Sequence, residues 1–262
     1  MRPTVPSFVL NQFSITYTPK QKTKGLSIII PIRGIERNIN LNIIIPYIIA
    51  QNIEPLEIFI IEEDTIPKID VKDLIRNPIV THKFLKSDKP FNKSRVINAG
   101  VFYSNYNKIC MIDVDMIIEK GLLYKIYTIL ETYDVCFSIK EIYFLTEIPS
   151  PSTYYHDGKT WFNTASFACH GGIVSFNKKA FLEIGGMDEK FVGHGSEDTE
   201  FYERAKQLLR CQDTRFATVL HIPHPRDLAE AEQNHTRYEE VKKQPLDQIV
   251  KKLKAEYQTT WK

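Results

Sequence analysis

The chain has 262 residues, 43% of them hydrophobic and 25% charged, which excludes a disordered or fibrous polypeptide. Thirty-four Lys and Arg against 32 Asp and Glu leave a net charge of +2, so bulk charge gives no reason to expect a nucleic-acid partner. A fold of this size buries roughly 75% of its unfolded surface and needs no disulfide or metal staple to stand up.

Residues 1–25 carry Pro3, Pro6 and Pro19, end in Lys20, Lys22 and Lys24, and hold no continuous apolar run of the signal-peptide kind. No apolar stretch approaches the length of a membrane span, so a cytoplasmic location is expected. Cys110, Cys136, Cys169 and Cys211 show no paired spacing, as expected of free thiols and not of a disulfide framework or zinc site.

Residues 26–32 (LSIIIPI), 56–61 (LEIFII) and 108–112 (KICMI) are continuous apolar runs of strand length. Such runs suit strands buried on both faces of a parallel sheet. Residues 38–52 and 92–106 lie between them and have helical length, so the first half predicts an α/β fold with a mostly parallel sheet flanked by helices. Ligands of open α/β sheets bind at the carboxyl ends of the strands. Polar residues stand at those ends: Arg33 after the first run, Glu62 and Glu63 after the second, Asp113 and Asp115 after the third.

In the second half, residues 134–145 predict one longer strand and residues 149–163 a long loop, rich in Pro and aromatic side chains, of the kind that is usually functional or mobile. A strand over 167–176 and a helix over 178–184 follow, the helix stopping at Gly185-Gly186. Ser196 is expected to cap a helix running to Leu209. Beyond Asp227 the chain reads as helical and polar. It closes on a stripe of Leu246, Ile249, Val250, Leu253 and Tyr257 among basic residues, which suits either packing on its own domain or docking on a partner domain or membrane.

Three clusters carry chemistry. In Asp113-Val114-Asp115, alternate residues leaving a strand point the same way, and a divalent cation resolves the repulsion of two carboxylates there. His221 and His224, three residues apart around Pro223, are compatible with one metal ion to which Asp115 adds a hard oxygen. Gly193-His194-Gly195-Ser196-Glu197-Asp198 sets acids at a helix start after a glycine-bearing approach, which serves capping, catalysis or both.

Together these segments resemble the GT-A glycosyltransferases, most closely the β-1,4-galactosyltransferase group and its chondroitin-type synthase relatives. Pro31-Ile32-Arg33 is similar to that family's Pro-Phe-Arg element, and Phe91-Asn92-Lys93-Ser94-Arg95 to its Phe-Asn-Arg-Ala-Lys. Asp113-Val114-Asp115 matches its Asp-Val-Asp, and Gly171-Gly172-Ile173 its Gly-Gly-Val. The stretch from Gly193 to Asp198 resembles its Gly-Trp-Gly-Gly-Glu-Asp, and His221-x-x-His224 falls where it has Met-x-x-His. The resemblance runs from about residue 26 to residue 227 in family order.

What the resemblance implies is a Rossmann-like GT-A domain over residues 26–227, between an N-terminal extension (1–25) and a C-terminal helical extension (228–262). Asp115, His221 and His224 would hold manganese, with magnesium a second candidate. Pro31, Arg33, Phe91, Lys93, Asp113, Val114, Gly172 and His194 would bind the UDP-sugar donor, and Glu62 or Glu63 would meet the uracil. Asp198 would be the catalytic base, with Glu197 beside it facing a glycan or glycoconjugate acceptor. The implied activity is inverting transfer of a hexose or N-acetylhexosamine. The alternative is a catalytically weak carbohydrate- or nucleotide-sugar-binding protein on the same fold. Departures are informative: Ile35 replaces a family arginine, Val192 and His194 replace two tryptophans, and Thr199 replaces a third acid. Cys169 replaces an aromatic residue, leaving room for a 2-acetamido group on the donor.

Overall fold

The computed structural model describes residues 20–145, 162–165, 170–193, 195–224 and 229–261, with only the backbone described over 162–165. The first half alternates β1 (Gln21–Ile32), α1 (Asn38–Ile49), β2 (Ile53–Asp64), β3 (Val80–Lys86), α2 (Lys93–Tyr103) and β4 (Lys108–Ile112). β5 (Met116–Ile118), α3 (Leu122–Ile129), β6 (Val135–Phe137), β7 (Ile139–Leu145) and β8 (Phe162–Ala165) follow. The rest comprises β9 (Ile173–Asn177), α4 (Lys178–Glu183), α5 (Glu197–Leu208), β10 (Cys211–Gln212), β11 (Ala217–His221), α6 (Ala231–Val241) and α7 (Leu246–Thr260).

Seven strands form one sheet in the order β10-β6-β9-β4-β1-β2-β3. The β4-β1-β2-β3 half is parallel throughout, and β9 alone runs against its neighbours. The apolar runs are buried on both faces because they alternate between two cores. Leu26, Ile28, Ile30 and Ile32 of β1 point into one core with α1 and α3, whereas Ile29 points into the other with α2 and α5. Helix α2 lies close on β1 at Gly100, where an added Cβ would meet Ile29 at 2.5 Å.

A second sheet runs β5-β11-β7-β8. The single strand expected over 134–145 is in fact two, β6 in the large sheet and β7 in the small one. The break falls at buried Ser138, whose carbonyl accepts from the N–H groups of Phe216 and Ala217 at 2.9 and 2.8 Å. The strand expected over 167–176 is β9 at 173–177, and residues 167–169 lie outside the described part, as does most of the loop expected over 149–163. Residues 21–25 of the expected extension belong to β1, with Lys22 opposite Glu54.

The closing helix packs on the body of the protein. Leu253 lies against Gly185, Tyr257 Oη donates to the Asn98 carbonyl at 3.2 Å, and Trp261 Nε1 donates to Glu189 Oε1 at 2.7 Å. Ile249 and Leu253 of its apolar stripe are buried against the rest of the chain. Among the described residues no helix is long and apolar enough to cross a membrane.

Candidate active site

An open cavity of about 1070 Å³ lies at the carboxyl ends of β1, β2 and β4. The link between the two sheets builds its floor. β4 ends the large sheet's contribution at Ile112, Asp113-Val114-Asp115 crosses over, and Met116 begins β5 in the small sheet. The crossing is pinned by Asp113 N–H to the Gly172 carbonyl (2.8 Å) and Ile222 N–H to the Asp115 carbonyl (2.8 Å). Antiparallel pairing sets His221 of β11 opposite Met116, which delivers the imidazole next to Asp115.

Candidate ligand atoms of Asp115, His221 and His224 all lie within 4.8 Å of one another. His224 Nε2 is 3.0 Å from Asp115 Oδ2, and His221 Nε2 is 3.8 Å from Oδ1. Burial pushes the Asp115 carboxyl up, but His224, His221 and Arg37 outweigh it and hold it at about 2. The two aspartates do not share one partner. Asp113 Oδ2 instead accepts from Lys93 Nζ at 2.7 Å.

Lys93 opens α2, whose first turn is capped by the Asn92 side chain accepting from Arg95 N–H at 2.9 Å. Burial opposes the Lys93 charge, yet Asp113, Glu197 and Asp198 around it raise its pKa. Burial raises Asp113 as well, against the pull of Lys93. Glu197, 4.0 Å from Lys93, is pushed up to about 7 by burial and then by repulsion from Asp198. Its Oε2 is buried and has no hydrogen-bond partner among the described residues.

Asp198 lines the same cavity from the first turn of α5. Its carboxylate has room because residue 171 is glycine: a Cβ there would lie 2.1 Å from Asp198 Oδ2. Ser196 does not cap α5 through its side chain; it stands at a φ of 70° and makes no side-chain cap bond. The turn is closed by its carbonyl, which accepts from Glu200 N–H at 3.0 Å.

Pro31, Arg33, Phe91, Val114 and Gly172 line the cavity with the residues above, and His194 lies outside the described part. Glu62 and Glu63 do not reach the cavity, contrary to expectation. Both are fully buried. Glu62 takes the N–H groups of Lys68 and Ile69 and faces His82, while Glu63 takes Asn92 N–H and Arg95 Nη1.

In sequence, residues 159–225 match a family model described as the N-terminal domain of galactosyltransferase. No curated protein was found to match the chain. Among solved structures, S. aureus TarS 1–349 in complex with UDP is similar at a TM-score of 0.57 and 12% identity, over 89% of this chain and 70% of that one. This is a GT-A glycosyltransferase fold. TarS 1–349 in complex with UDP-GlcNAc aligns at a TM-score of 0.55 and 12% identity, over 78% of this chain and 60% of that one. Drosophila β1,4-galactosyltransferase 7, in complex with manganese, UDP-Gal and xylobiose, aligns at 0.49 and 19% identity over 81% and 79%.

On this GT-A fold the acid that does line the cavity from β2 is Asp64. Burial raises its pKa, but Lys68 (2.8 Å) and the Thr65 N–H (2.7 Å) reverse the shift and lower it. Arg37 and Glu230 also line the cavity and were not singled out from sequence, and Gly171 of the Gly-Gly-Ile motif lines it too. A strand ending in three consecutive acids was the available signal for Asp64. Nothing comparable marked Arg37.

Proposed function

We propose that the protein is a metal-dependent, inverting glycosyltransferase that moves a hexose or N-acetylhexosamine from a UDP-sugar to a hydroxyl of a glycan or glycoconjugate. The observation that carries this reading is one cavity holding both the Asp115–His221–His224 group and the Asp198 carboxylate. One hard carboxylate oxygen and two imidazole nitrogens within 4.8 Å suit a transition ion such as manganese, with magnesium the alternative. When bound, that ion would offset the charge developing on the departing diphosphate.

The remaining roles belong to the chain itself. Pro31 and Phe91 offer apolar walls to the nucleotide, and Arg33 offers a cation at the same wall. Lys93 and Asp113 form a fixed pair for orienting the donor. Asp198 takes the proton of the acceptor hydroxyl as its oxygen attacks the anomeric carbon. The bond from that carbon to the diphosphate breaks at the same time, and UDP leaves with the electron pair. A single displacement inverts the anomeric centre. Cys169 in place of an aromatic residue favours a 2-acetamido donor.

The test is UDP release from UDP-Gal, UDP-Glc, UDP-GalNAc and UDP-GlcNAc with a panel of glycan acceptors, with manganese or with a chelator. Acceptor-dependent, chelator-sensitive release is expected, fastest with the N-acetylated donors. Release that ignores the acceptor would mark a hydrolase, and no release with any donor would remove the enzymatic reading.

A further inference from the structure

Arg37 ends the short 3-10 turn Ile35–Arg37 between β1 and α1, and its guanidinium reaches across the candidate metal ligands. Nη1 donates to Asp115 Oδ2 at 3.1 Å, and Nη2 lies 2.8 Å from His224 Nδ1. A guanidinium has donors only, so Nδ1 must be the acceptor in that contact. The His224 ring proton then sits on Nε2, where it is donated to Asp115 Oδ2 at 3.0 Å. In this arrangement both ring nitrogens of His224 are engaged. A cation binding through Nδ1 would collide with Arg37. Binding through Nε2 would move the proton to Nδ1, setting two donors face to face. Arg37 and a metal ion on His224 are mutually exclusive.

We propose that Arg37 is an internal competitor for the metal and makes metal binding depend on the arrival of the nucleotide diphosphate. The inference rests on the metal reading of the site above. A displaced guanidinium leaves one carboxylate and needs another anion. The diphosphate of a nucleotide in the same cavity supplies it, with bidentate geometry that suits arginine. Metal alone must evict Arg37 without compensation, whereas metal and diphosphate together exchange one anionic partner for another. This couples the two ligands positively, and the coupling is reciprocal.

The test is manganese binding to the full chain, by calorimetry or by the electron paramagnetic resonance of free Mn2+, without nucleotide and then with UDP. Arg37→Gln and Arg37→Ala are expected to bind manganese alone about tenfold more tightly than the parent, and the gain produced by UDP should shrink by a similar factor. Lys68→Gln removes the same charge from the same cavity, but its side chain pairs with Asp64 and with neither ligand. It should alter manganese affinity by less than about threefold. Equal tightening in Lys68→Gln would assign the effect to bulk charge and overturn the proposal. So would manganese affinity unchanged or weakened in both Arg37 variants while His224→Ala abolishes binding. Manganese binding that survives His224→Ala, or that no variant shows, would overturn the metal site itself and this inference with it.

Discussion

Lys93 Nζ stands 2.7 Å from Asp113 Oδ2, joining the first residue of α2 to the link that leaves β4. The same ammonium is 4.0 Å from Glu197 Oε1 at the start of α5. One mostly buried cation thus balances acids delivered by two different parts of the chain. Lys93→Ala leaves Asp113, Glu197 and Asp198 to repel one another without a counter-charge. The expected loss of stability is on the order of 3 kcal/mol, read as a shift of the urea midpoint. A midpoint within experimental error of the parent would show that solvent already screens the acids.

Glu197 sets a pH dependence whose sign follows from its raised pKa. Its folded value of about 7 exceeds the ordinary 4.5, so folding favours the protonated carboxyl. That contribution is fully present below about pH 4.5 and is lost as the pH rises through about 7. In metal-free buffer, the parent should lose on the order of 1–3 kcal/mol more stability than Glu197→Gln between about pH 5 and pH 8. Parallel pH profiles for the two proteins would place the ionisation elsewhere.

Asp198 and Asp115 should fail in different ways. Asp198→Asn preserves shape and removes the proposed base, so transfer should fall by about two to four orders of magnitude with UDP affinity retained. Asp115→Asn should weaken manganese and UDP binding together. Measuring turnover beside the UDP dissociation constant separates them. Near-normal turnover in Asp198→Asn would move the base to another group, Glu197 first.

Gly171 offers a steric version of the same experiment. Gly171→Ala introduces a methyl 2.1 Å from the present position of Asp198 Oδ2, so the carboxylate must turn away. Transfer should drop by about tenfold to a hundredfold through misplacement alone. In the double variant Gly171→Ala/Asp198→Asn, the added methyl should add nothing to the loss of the single asparagine variant. Additive losses would mean that Gly171 acts on something other than Asp198.

The strands that were legible in the sequence are those buried on both faces. β1, β2 and β4 read as unbroken apolar runs because helices cover both sides of them. β3, with Thr81, His82 and Lys83 only partly covered at the sheet edge, has no such run and was not anticipated. The split between β6 and β7 is hidden by apolar residues on both sides of Ser138, since either sheet buries them equally well. The acids at the end of β2 show where the reading stopped. Pattern alone says that Glu62, Glu63 and Asp64 alternate, but His82 on β3 and Arg95 on α2 decide which of them face inward. Arg37 was hidden because its role depends on a turn that carries its side chain across to Asp115 and His224.

The crossing from β4 to β5 has a mechanical consequence. Asp115 sits at the seam between the sheets, whereas His221 terminates a short ladder in which Val219, Leu220 and His221 face Ile118, Ile117 and Met116. An ion held by Asp115 and the imidazoles, as proposed, would act as a rivet through that seam. Local opening of the ladder would dismantle the grip, so occupancy and seam closure would rise and fall together. Amide hydrogens of β5 and β11 are where a bound ion would announce itself, as slowed exchange.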